Sequence, residues 1–118
     1  MKRTLFALAA AAVAAATFVV LAPFAGARTT ATTVHVTAKD TLRFTLDKKK
    51  APHGKTTFVV VNKGTLTHDF QIAGKKTKML RHNQKATLTV TLKKGKHPYK
   101  CTVPGHAAAG MKGVFTST

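Results

Sequence analysis

KATLTVTLKKGKHPYKC, residues 85–101, is the stretch on which the fold turns. Ala86, Leu88, Val90 and Leu92 alternate with Thr87, Thr89 and Thr91, a period of two that belongs to a strand with one face on a core. Lys93, Lys94 and Gly95 make a turn, and residues 96–101 lead back as a second strand. The same period recurs upstream. Val34, Val36 and Ala38 share one face, and Leu42, Phe44 and Leu46 share another, with Arg43 and Thr45 pointing out. Residues 56–61 are a continuous β-branched and aromatic run, which predicts a strand covered on both faces. His68, Phe70 and Ile72 have one parity, residues 77–80 are a candidate short strand, and a last strand covers about residues 113–117. Residues 47–54, 62–64 and 73–76 read as turns. Seven or eight short strands, with no amphipathic helix after residue 27, predict an all-β sandwich or barrel.

Composition agrees with one packed domain. The chain has 118 residues, of which 44% are hydrophobic, too apolar for a disordered polycation. Twenty Lys and Arg stand against three acids, Asp40, Asp47 and Asp69, for a net charge of +17. Seven Phe, one Tyr and no Trp are a poor stacking platform, and no recognition helix is present. Specific nucleic-acid binding is therefore not expected, and charge alone predicts only salt-sensitive, nonspecific binding. The single cysteine excludes a disulfide framework and any CxxC site.

Residues 1–27 have the pattern of a secretory signal peptide. Lys2 and Arg3 precede an Ala-rich apolar run from about Leu5 to Ala22, and Ala25 and Ala27 form an A-x-A arrangement before Arg28. An uncleaved membrane anchor is the alternative. Residues 28–32 then form a short lead-in, and residues 33–118 form the domain. Export to a periplasmic or extracellular location follows, where a lone thiol, Cys101, is open to oxidation unless buried or occupied.

Cys101, His106 and Met111 are separated by four residues each, in YKCTVPGHAAAGMKG (residues 99–113). A thiolate, an imidazole and a thioether form a soft donor set suited to copper, because zinc and magnesium rarely take methionine. Pro104, Gly105 and Gly110 let the loop fold back so that the three donors meet. Parity selects His68 as the fourth: it points inward at one strand's start, as Cys101 does at another's end. Neighbouring strands would bring both to the same end of the sandwich, giving two histidines and a cysteine with a weak axial methionine.

This stretch, with Asn62-Lys63-Gly64 and His68-Asp69-Phe70 upstream, resembles the cupredoxins, the plastocyanin/azurin family of blue copper proteins. The resemblance covers most of residues 33–118 and implies a Greek-key β-sandwich holding one type 1 copper that cycles between Cu(I) and Cu(II). It implies an electron carrier rather than an enzyme. Where the family commonly has Asn after the first histidine, tying the two ligand loops together, this sequence has Asp69, whose charge would favour Cu(II).

Of the other histidines, His35 faces outward, His53 and His82 lie in basic turns, and His97 is four strand residues from Cys101, roughly 13 Å away. All four read as surface or structural. Met79 reads as filler or surface. A monomer is expected, with the edge of His106 reaching the surface through a small apolar patch formed by Pro104 and Ala107, Ala108 and Ala109. Its redox partner should dock transiently and carry an acidic surface, and an anionic membrane or cell-wall polymer could hold the protein locally. A copper carrier or chaperone would use the same four ligands. A secreted cysteine hydrolase would leave Met111 unexplained.

Overall fold

The structure is a computed structural model and describes residues 14–17 and 31–118. The expected signal segment therefore lies outside the described residues except for residues 14–17, and so do residues 28–30 of the lead-in. Nine strands follow among the described residues: β1 (Thr32–Lys39), β2 (Arg43–Leu46), β3 (Lys50–Ala51), β4 (Gly54–Asn62), β5 (Gln71–Ile72), β6 (Lys75–Lys76), β7 (Lys85–Leu92), β8 (Gly95–Lys100) and β9 (Lys112–Ser117). They form two sheets, ordered β2-β1-β4-β7 and β3-β9-β8-β5-β6. β1 runs parallel to β4 and β3 parallel to β9, and every other pair is antiparallel. The chain thus crosses between sheets in the manner of a Greek-key sandwich.

The alternating residues build the core. Val34 and Val36 of β1, Phe58 and Val60 of β4 and Val90 and Leu92 of β7 face Ile72, Tyr99 and Phe115 of the second sheet. Phe70 lies between the layers, edge-on to Phe44 (ring centroids 5.3 Å, 88°) and 5.2 Å from Phe58. A smaller cluster of Ala38, Cys101 and Met111, flanked by Leu42, Phe44 and Val103, closes one end.

Three expectations need correction. β4 is covered on one face only: Thr56, Phe58, Val60 and Asn62 are buried, while Thr57, Val59 and Val61 are half-exposed on the outer face. Its continuous run reflects its central position between β1 and β7, where β-branched residues suit both faces. Residues 77–80 form no strand; Leu80 makes an isolated bridge with His68, and the pairing comes earlier, in the β5–β6 hairpin (Gln71 with Lys76, Ile72 with Lys75). The charged turn at 47–54 contains β3, which pairs with the end of β9.

Candidate metal centre

Two segments bring the site together at one end of the sandwich. β5 lies antiparallel to β8, pairing Gln71 with Lys100 and Ile72 with Tyr99. His68, just before β5, and Cys101, just after β8, therefore arrive side by side. His68, Cys101 and Met111 are all buried, at 0%, 1% and 0% exposure, and His106 is half-buried. The donor atoms of His68, Cys101 and His106 all lie within 4.8 Å of one another. The two imidazoles present Nδ1 to each other at 3.2 Å, and Cys101 Sγ lies 3.6 Å from His106 Nδ1. Met111 packs in the same small cluster as Cys101. All four sequence-predicted donors meet here. The donor set fits copper, a soft thiolate with two imidazoles beside a thioether. Burial pushes the Cys101 thiol up from its ordinary value, so the metal-free site holds it protonated.

The 101–111 loop is closed by its own backbone. Cys101 N donates to Met111 O (3.0 Å), Met111 N to His106 O (3.0 Å) and His106 N to Val103 O (3.1 Å), so the three donors share one hydrogen-bonded unit. Gly105 and Gly110 turn with φ of 84° and 117°, conformations that disfavour a side chain. Arg43 covers Gly110 and donates from Nη1 to Ala109 O (2.8 Å), fastening the loop to β2.

The His68 side is held by distant residues. Asn62, fully buried, donates to Leu66 O and Leu80 O, both 2.7 Å, and accepts from Gly64 N (2.8 Å). Leu80 in turn exchanges backbone bonds with His68 (3.1 and 2.8 Å). Asp40, in the turn after β1, accepts from Thr65 N and Oγ1 (2.7 Å each), from Leu66 N (3.0 Å), and lies 3.2 Å from His68 Nε2. The Thr65 hydroxyl and amide, with Leu66 and His68, hold its carboxyl well below the usual carboxylate range, against a smaller opposing effect of burial. Asp69 ties the two segments together: Oδ1 accepts from Thr102 N (2.6 Å) and Oδ2 from the Thr102 hydroxyl. It thus makes the brace between ligand loops that the resemblance assigns to Asn. Neither Asp40 nor Arg43 carried a sequence signal; only contacts across the fold identify them.

The remaining histidines sit apart from the centre. His35 pairs with Asp47 (3.0 Å), and the rings of His53, His82 and His97 meet the carbonyls of Thr118, Gly64 and Lys93 (2.7–2.9 Å).

A family model for the cupredoxin-like domain matches residues 6–116. The chain belongs to the cupredoxin-like family. This cupredoxin is 32% identical over 102 residues to the copper-resistant cuproprotein CopI of Vibrio cholerae serotype O1, a match covering 66% of this chain and 60% of the relative. The chain thus spans less than two thirds of that relative's length. Its fold is similar to that of dithionite-reduced auracyanin from Roseiflexus castenholzii (TM-score 0.66, 25% identity, covering 75% of this chain and 98% of that one). It is also similar to an azurin from Methylomonas sp. strain J (TM-score 0.63, 16% identity, covering 74% and 98%), a likeness of fold alone.

Proposed function

We propose that this cupredoxin is an exported type 1 copper protein that carries single electrons, with His68, Cys101 and His106 as the strong donors and Met111 as the weak axial one. The observation that carries the reading is the convergence of one ring nitrogen each from His68 and His106 and the Sγ of Cys101 within 4.8 Å, beside the buried cluster that Cys101 shares with Met111. Bound copper would supply a Cu(I)/Cu(II) couple. The chain's own part is to hold its donors still. His68 is held by its bridge to Leu80 and Cys101 by its backbone bond to Met111, each next to the paired strands β5 and β8. His106 and Met111 are held by the closed backbone of their loop, so little rearrangement is needed between oxidation states. His106 alone among the four is open to solvent, beside Pro104, Ala107 and Ala108, and offers the route out for the electron. Cys101 is a poor candidate for a hydrolytic nucleophile, since it is buried and its thiol is pushed up.

The basic surface favours an acidic, transient redox partner, met by a monomer. The apolar N-terminal run, with Lys2 and Arg3 before it, supports export, and the basic surface suits an anionic membrane or cell wall. Among the described residues no helix is long and apolar enough to cross a membrane.

A copper carrier is the second reading, favoured by the likeness to a copper-resistant cuproprotein. The burial of His68, Cys101 and Met111 argues for retention rather than hand-over. Visible and EPR spectra of the copper-loaded protein test the type 1 assignment, with an intense thiolate-to-copper band expected. Its absence overturns that assignment. Copper loss to a chelator over hours favours the electron carrier, and loss within seconds favours the copper carrier.

A further inference from the structure

A neutral imidazole carries one proton, and the nitrogen that keeps it is set by what the ring faces. The buried His68 ring has Asp40 Oδ1 at 3.2 Å from Nε2 and His106 Nδ1 at 3.2 Å from Nδ1. An ionised carboxylate can only accept, so it retains the proton on Nε2 and leaves the Nδ1 lone pair directed into the site. Asp40 is itself held fast. Four contacts converge on its two oxygens, and a Cβ at Gly64 would collide with its carboxylate, so glycine is what lets the 64–66 backbone close around it.

The charge matters as much as the geometry. The chain has three acids, and two of them touch this centre: Asp40 against His68, and Asp69 against the residue after Cys101. The third, Asp47, lies with His35 on the β1–β2 side. In a protein with 20 Lys and Arg, negative charge is thus concentrated where a metal would sit.

We propose that Asp40 is a positioning residue of the metal centre, fixing His68 as an Nδ1 donor and, by its charge, biasing bound copper toward Cu(II). The inference rests on the copper reading above but has a readout that needs no metal. In the metal-free protein, ring ¹⁵N shifts should show His68 as the Nε2–H tautomer, and Asp40→Ala should mix or reverse the tautomers. In copper competition against a chelator, Asp40→Ala should weaken binding about 10- to 100-fold, the usual scale for losing such a partner. In redox titration, Asp40→Asn keeps the side-chain volume and should shift the Cu(I):Cu(II) ratio at fixed potential about tenfold toward Cu(I), or ~59 mV for one electron. Asp47→Asn removes the same charge elsewhere and should shift that ratio less than about threefold.

The inference is overturned if Asp40→Asn shifts the ratio no more than Asp47→Asn, or if Asp40→Ala leaves both tautomer and copper affinity unchanged. Should Asp40→Ala fail to fold, Asp40→Asn carries the tautomer and affinity measurements as well. A wild-type protein without the thiolate-to-copper band overturns the copper reading instead, while the tautomer result still decides the role of Asp40.

Discussion

The two segments that build the centre are constructed on opposite plans. The 101–111 loop holds three of the proposed donors within eleven residues and closes on itself through backbone bonds, with two outside side-chain braces, Arg43 at the surface and Asp69 on Thr102. The 62–80 segment supplies one donor, His68, and closes through residues far apart in sequence: Asn62 on Leu80, and Asp40 on Thr65, Leu66 and His68. The first is a local structure placed on the fold, and the second exists only because the fold brings its parts together. Perturbations should therefore act locally on the loop and globally on the segment.

The largest expected effect is Cys101→Ser, which removes the thiolate from the self-closed loop. The intense visible band should vanish, while thermal unfolding of the metal-free protein moves little, because Cys101 N and Met111 O still pair. A blue Cys101→Ser protein would break the site assignment. Asn62→Ala should do the reverse. It strips three hydrogen bonds, two of them from the buried Gly64 and Leu80 and one from Leu66, and should destabilise the metal-free fold by about 2–4 kcal/mol, read by denaturant unfolding. Arg43→Ala removes the exposed brace and should cost less than about 1 kcal/mol. An equal loss for Asn62→Ala and Arg43→Ala would end the distinction between the two plans.

That distinction also explains what could be read from the chain before its structure. Cys101, His106 and Met111 announce themselves because their spacing is local, and the alternation of Ala86 to Leu92 marks β7 because its period is local too. Parity placed His68 inward, although Asp69 next to it is also buried, so simple alternation fails there. Asp69 turns in because the Thr102 amide and hydroxyl meet it, a contact between residues 33 apart. Asp40 and Arg43 look like ordinary turn and surface residues until β1 and β2 are laid beside the two loops. The second strand of the β5–β6 hairpin falls at Lys75–Lys76 rather than at 77–80 because two-residue strands have no period to read, and the outer face of β4 escapes the pattern because β-branched residues suit both faces of a central strand.

Met111 sharpens the comparison within the loop. Met111 is fully buried, yet a thioether is a weak donor, so Met111→Leu should retain copper and raise the reduction potential while Met111→Gln lowers it. Voltammetry on the two variants checks this. Loss of copper from Met111→Leu would mean that the closed loop depends on its metal bond rather than on its backbone.

The smallest effects belong to the surface, where an exposed apolar position can be compared on each segment. Ala108 lies beside His106 on the loop, and Leu66, 48% exposed, lies on the segment. If electrons leave through His106, a charge at Ala108 intrudes on the docked geometry, whereas one at Leu66 changes mainly the long-range field. Steering by the basic surface fades as salt shortens the Debye length to about 8 Å at physiological ionic strength, and docking contacts persist. Ala108→Glu should therefore slow electron transfer to an acidic acceptor several-fold at both low and high salt. Leu66→Glu should slow it modestly at low salt and hardly at all at high salt. Stopped-flow rates against ionic strength separate the cases. A high-salt loss in Leu66→Glu equal to that in Ala108→Glu would extend the docking face over both segments. An unchanged Ala108→Glu would move the exit away from His106 altogether.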